Sequence, residues 1–205
     1  MIDNFKLQGI ASGAIRSDED MLAIDKETAD NAFKEQKKKL DSFLLQKGFV
    51  KYKTNSYARR NKIDVLEYIN LQKEQYGSKT FTVNYSLIAL YVPRRFLSYD
   101  LGGRLGELIC DKDVWWDYSD VQTAEVSFQN VMDAIDSILL PWFEERENRE
   151  VLKNELLNEE LKRKSYGGCL SDMQQAWLDV IDSEEDYSEI IRRNIEVFKL
   201  PKKLW

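Results

Sequence analysis

The chain has 205 residues, 43% of them hydrophobic and 32% charged, enough for a core without disulfide staples and far from a disordered composition. Its net charge of −6 argues against general affinity for nucleic acid or an anionic membrane, which calls for a basic balance. Histidine is absent. That removes Ser-His-Asp and Cys-His catalysis and makes a catalytic zinc site implausible, while leaving carboxylate chemistry open.

Residues 1–25 carry Gly9, Ser12, Gly13 and an acidic Asp18-Glu19-Asp20 run with weak periodicity. They read as a loosely ordered N-terminal arm, docked at most through Phe5, Leu7, Met21 and Leu22. The arm does not resemble a signal peptide. From Glu27 a helix is expected: Ala29, Phe33, Leu40, Phe43 and Leu44 share one face, Lys34 and Lys37 to Lys39 take the wet side, and Gly48 suits a left-handed cap.

An antiparallel β-meander of about four strands follows. Phe49 to Lys53 and Ser56 to Arg60 form a hairpin around Thr54-Asn55. Ile63 to Lys73 and Phe81 to Ala89 alternate with period two around a Gly77-Ser78 turn. Connections this short require antiparallel pairing. Packed against helices, the sheet makes the fold class α+β.

Residues 92–120 read as irregular apart from a short Leu105 to Ile109 segment. The cluster Gly102-Gly103-Arg104-Leu105-Gly106 is expected to be a turn, with anion binding the disfavoured alternative because no phosphate-cradle lysine is present. Asp111-Lys112-Asp113 lacks a third ligand at metal spacing and reads as a solvated loop. Glu35-Gln36-Lys37 and Glu160-Leu161-Lys162 fall on helices, so neither fits a nuclease Glu-x-Lys strand. For Trp115-Trp116, one ring is expected to seal the core beside Leu105 and Leu108; the other reading is an aromatic contact surface.

The C-terminal part reads as helical. Phe128 through Phe143 keep helical spacing, with a kink or restart at Pro141. A charged helix runs from Glu144 to Lys164 and ends at Gly167-Gly168. Ser171 to Gln174 has capping-box spacing ahead of Trp177. A last amphipathic set, Tyr187 to Phe198, is stopped by Pro201. The domain reading is an α+β core over 26–146 with helices of 147–205 packed on the same domain.

Eleven basic and four acidic side chains lie between 26 and 62, a local +7, which leaves −13 elsewhere. That basic stretch, with Tyr52, Tyr57, Arg59 and Arg60, could bind phosphate or RNA. A solvated face paired with the acidic C-terminal helices is favoured instead.

Three stretches resemble the bacterial family named domain of unknown function 4304. They are Leu40…Leu44 through Lys47-Gly48-Phe49; Ile69-Asn70-Leu71-Gln72-Lys73 with Phe81-Thr82-Val83-Asn84; and Arg104-Leu105-Gly106-Glu107-Leu108 with Trp115-Trp116. Leu140-Pro141-Trp142 then closes a helix as that family does. The resemblance implies the same helix-then-sheet layout and supplies no activity.

The function expected is a non-catalytic protein-interaction module, immunity-type or regulatory, with another protein as partner and no cofactor or metal. A nucleic-acid-associated or phosphodiesterase-like role, using Arg94, Arg95, Arg104 and the basic hairpin, is the first alternative. A small-molecule enzyme with a carboxylate- and amide-lined pocket is the second. The candidate binding surface comprises Asn70, Gln72, Asn84, Arg94, Arg95, Arg104, Trp115 and Trp116. No membrane span is expected, and Cys110 and Cys169, without a C-x-x-C partner, read as reduced thiols of a cytoplasmic protein.

Overall fold

A computed structural model describes residues 26–205; the expected N-terminal arm lies outside the described residues. Helix α1 (Lys26–Gln46) forms where Ala29, Phe33, Leu40 and Leu44 recur at helical spacing, and all four are buried. Lys37 departs from the expected wet side. It is buried, and its ammonium is held by Asp41 one turn on, at 3.0 Å, so the long apolar stem can lie inward with the charge still paired. Gly48 follows with φ +85°, as a left-handed cap requires.

Among the described residues six strands make one antiparallel sheet, and with the helices the fold is α+β. β1 (Val50–Lys53), β2 (Ser56–Arg60), β3 (Val65–Lys73), β4 (Thr80–Ala89) and β5 (Leu101–Arg104) are ordered β1-β2-β3-β4-β5, and β6 (Trp116–Asp117) pairs with β4. The hairpin register sets Val50 opposite Ala58 and Lys53 opposite Ser56, with a bulge after Lys51. β2 and β3 then pair from Ser56↔Asn70 to Arg60↔Leu66. β3 begins at Val65 rather than Ile63 because Asn61 builds a turn first. Its side-chain oxygen accepts from the amides of Ile63 and Val65, and Asp64 adopts φ 60°.

The meander of about four strands is therefore present, and β5 and β6 extend it into the stretch expected to be irregular. The glycine cluster is a strand followed by a helix rather than a turn. A Cβ on Gly102 would stand 2.1 Å from the Tyr85 carbonyl oxygen and 2.7 Å from Ser86 Cα, so glycine lets two backbones approach closely. Helix α2 (Leu105–Cys110) starts directly after it.

The described residues fall into two units. The first takes in the residues through Lys47, Leu71–Asn84 and Arg104–Leu139. Its core stacks Phe33 edge-on against Phe81 and Phe128, at centroid distances of 5.4 and 5.2 Å, with Trp116 lying 6.0 Å from Phe81. Trp116 thus seals the core, with Phe81 as its aromatic neighbour. Helix α3 (Val121–Ala134) is opened by a capping box between Asp120 and Thr123 and runs into a π turn over Ile135–Leu139.

The second unit comprises Gly48–Asn70, Tyr85–Gly103 and Leu140–Trp205. α4 (Leu140–Glu145) follows the π turn without a break, so the expected restart at Pro141 is absent; its missing N–H removes one bond from a continuous helix, directly after the wider π turn. The expected continuous charged helix is interrupted. Asn148 caps a new helix, α5 (Arg149–Ser165), by accepting from the Glu150 amide. The Ser171–Gln174 box caps α6 (Asp172–Val180) as its spacing indicates. α7 (Ser188–Phe198) stops at Lys199, which adopts φ 55°, two residues ahead of Pro201. No helix among the described residues is long and apolar enough to cross a membrane.

Candidate binding groove

Pro93 follows directly on the end of β4 and its turn, and the chain from there to Leu101 has no regular structure. Backbone without ladder partners must be satisfied by side chains if it is to be held. Asn194 of α7 does this on one side. Fully buried, it donates to the carbonyls of Leu90 and Val92, both at 2.7 Å, and accepts from the Arg94 amide at 3.2 Å.

Arg94 and Asp100 do it on the other. Both side chains are wholly withdrawn from solvent, and Arg94 Nη1 donates to Asp100 Oδ1 at 2.7 Å while Nη2 bonds to Oδ2. The guanidinium also reaches the Ala89 carbonyl and the Ser98 hydroxyl, at 3.2 and 3.1 Å. Gln174 of α6 donates to the Asp100 carbonyl at 2.7 Å. Burial pushes the Asp100 carboxyl above its ordinary value, against the opposing pull of Arg94.

The residues between these two anchors face outward. Phe96 is 71% exposed and Tyr99 54%. They line a groove of about 770 Å³ together with Arg95, Tyr52 and Lys53 from β1, Tyr68 from β3, and Val197 to Lys199 at the end of α7. This volume suits a ligand or a segment of chain. The groove floor is a run of phenol rings, with Tyr52 and Tyr68 centroids 6.2 Å apart and Tyr68 and Tyr99 5.3 Å apart. Tyr52 donates to the Phe198 carbonyl at 2.7 Å, which ties the hairpin to the end of α7. Tyr68 donates to Ser56 at 2.7 Å. Burial, then the neighbouring Tyr68, pushes the Tyr99 hydroxyl well above the ordinary tyrosine value, so it remains a neutral phenol. Among the described residues the groove's charge comes from Lys53, Arg95 and Lys199, and no carboxylate lines it.

Of the candidate residues read from sequence, Arg95 alone lines this groove. Arg94 and Trp116 are interior and unavailable to a binding surface. Arg94 is spent on Asp100, and Trp116 is spent on the core. Asn70 staples the hairpin, donating to the Asn55 carbonyl and Ser56 hydroxyl at 3.3 and 3.0 Å. Gln72 and Asn84 bond each other across neighbouring strands at 3.1 Å. Arg104, Trp115 and Asp113 close on themselves: the guanidinium lies 5.1 Å from the indole centroid and pairs with Asp113, which also accepts from Trp115 Nε1 at 3.0 Å.

The basic stretch from 26 to 62 is largely neutralised, mostly by partners other than those expected. Arg59 pairs with Glu67 and Arg60 with Asp64, Lys39 reaches Glu125 and Lys47 reaches Asp136, while Lys62 meets Glu147 beyond α4.

Sequence reasoning missed Phe96, Tyr99, Tyr68 and Lys199 as lining residues. The available signal was Phe96-Leu97-Ser98-Tyr99 itself, an aromatic run in a stretch without periodicity.

A family profile described as Domain of unknown function (DUF4304) matches residues 40–145. The chain belongs to the DUF4304 family. The matched range covers the sheet and the loop carrying Arg94 to Asp100, whereas the α7 side of the groove lies beyond it. Searches of curated proteins and of solved structures returned no match.

Proposed function

We propose that this DUF4304 protein is a non-catalytic interaction module, immunity-type or regulatory, that docks a partner protein in the groove between the 95–99 loop, β1 and the end of α7. One observation carries the reading. Two fully buried charges and a buried asparagine are committed to holding a loop whose outward residues, Phe96 and Tyr99, are large exposed rings. Burying an ion pair is costly, and a preformed loop binds without the entropic loss of ordering it. Aromatic side chains with arginine beside them are the usual anchors of protein interfaces. Among the described residues the lining offers no carboxylate, and the chain has no histidine, for proton transfer, which favours binding over catalysis. The free thiols Cys110 and Cys169 support a reducing, cytoplasmic setting for this role.

The test is comparative co-purification from native extract. The Phe96→Ser/Tyr99→Ser variant should lose a stoichiometric partner that the wild type and a Tyr76→Ser variant retain; Tyr76 is an equally aromatic but 96% exposed residue outside the groove. Retention of every partner by the groove variant would remove the reading.

A further inference from the structure

We infer that the segment this groove accepts is acidic, a peptide stretch with carboxylates flanking an apolar or aromatic side chain; the inference rests on the interaction reading above. In the same unit Arg59 is paired with Glu67, Arg60 with Asp64 and Arg94 with Asp100. The three cations that line the groove are not. Lys53, Arg95 and Lys199 make no ion pair with any described residue, all three are exposed, and no described aspartate or glutamate stands in the lining. Lys53 has only a ring for company, its ammonium 4.9 Å from the Tyr52 centroid.

Unpaired charge of one sign around an apolar floor is complementary to a ligand with the opposite pattern. The floor supplies the apolar half, since Tyr68 and Phe198 are buried beneath it while Phe96 and Tyr99 stand at its sides. Because those two rings remain largely in solvent, the surface suits a chain lying across it better than a small molecule enclosed by it.

A polynucleotide would also meet cations and rings here. Its phosphates, however, extend past the groove into the field of a protein of net charge −6. A short acidic segment feels the local charge alone, within a screening distance of about 8 Å.

The experiment uses the full chain and a fluorescein-labelled synthetic peptide in which glutamates and aspartates flank one phenylalanine. Fluorescence anisotropy should show saturable binding that weakens about tenfold or more between low and high salt. It should weaken at least as much in the Lys53→Glu/Arg95→Glu/Lys199→Glu variant, whose exposed positions leave the thermal melt unchanged. The lysine counterpart of the peptide should not bind, and replacing its phenylalanine with alanine should weaken binding measurably. Equal binding of the lysine counterpart, indifference to the triple charge reversal, or tighter binding of single-stranded oligothymidylate would each overturn the inference. Failure of the acidic peptide, with a co-purifying partner still lost from the Phe96→Ser/Tyr99→Ser variant, overturns the acidic segment and leaves the groove reading standing. A groove variant that keeps its partners defeats that reading itself.

Discussion

Arg94 and Asp100 face each other across the base of a five-residue loop, two hydrogen bonds joining a guanidinium and a carboxylate that share no surface with solvent. The pair decides where Arg95, Phe96 and Tyr99 can be. In water both ions would be well solvated; in the interior each depends on the other and on the Ala89 carbonyl, Ser98 hydroxyl and Ala89 amide around them. Asp100→Ala therefore leaves a buried, unmatched guanidinium, and a loss of about 3–5 kcal/mol in urea denaturation is expected. The double replacement Arg94→Met/Asp100→Leu removes both charges and should cost clearly less than either single change. A double variant as unstable as the sum of the singles would contradict this account of the pair.

Gly102 is expected to be the least replaceable glycine of β5. Ala at this position sets a methyl group 2.1 Å from the Tyr85 carbonyl oxygen, so strands must separate, at a cost of about 3 kcal/mol or more. Gly77→Ala is the informative contrast, because a Cβ there meets nothing within 4 Å and only the backbone conformation, φ +105°, resists it. Denaturant midpoints of the two variants test the order: Gly102→Ala should fall further.

Glu67 is buried in β3 beside Arg59, whose Nε lies 2.5 Å from its Oε2. Burial raises its carboxyl above the ordinary 4.5, with Arg59 pulling the other way. A carboxyl raised in the folded state binds its proton more tightly there than in the unfolded chain. Its contribution is fully present below pH 4.5 and is lost as pH climbs through the raised folded value. Glu67→Gln cannot titrate. The stability of the wild type minus that of the variant should therefore decline as pH rises above 4.5, measured by urea denaturation at a series of pH values. A difference that grows with pH would show that the Arg59 pair outweighs burial.

Ser171→Ala removes the side-chain oxygen that accepts from the Gln174 amide at the start of α6, and should cost about 1 kcal/mol of stability. A Ser171→Asp replacement, which preserves an acceptor, should recover most of it.

The α6 cap was readable because a capping box is local: four consecutive residues contain both halves of it. The same holds for α1 and the hairpin at Thr54-Asn55, whose signals are period and turn chemistry. β5 and β6 were not readable, because four and two residues are too short to display a period and Gly102 there serves a close approach rather than a turn. The groove was illegible for a different reason. Its walls come from 52–53, 68, 95–99 and 197–199, and nothing in a linear pattern says that Lys199 will stand with Arg95. Arg94 was also misplaced on the candidate binding surface. An arginine followed by another in a loop looks exposed until Asp100, six residues on, is seen to neutralise it.

The most direct test of the central claim, that the braced loop presents a protein-docking groove, is photo-crosslinking. A benzoylphenylalanine placed at position 96 of the full chain, irradiated in native extract, should yield one dominant covalent adduct. The same probe at position 76, a still more exposed aromatic site, should not. No adduct at position 96, or the same adducts from both positions, would contradict the account.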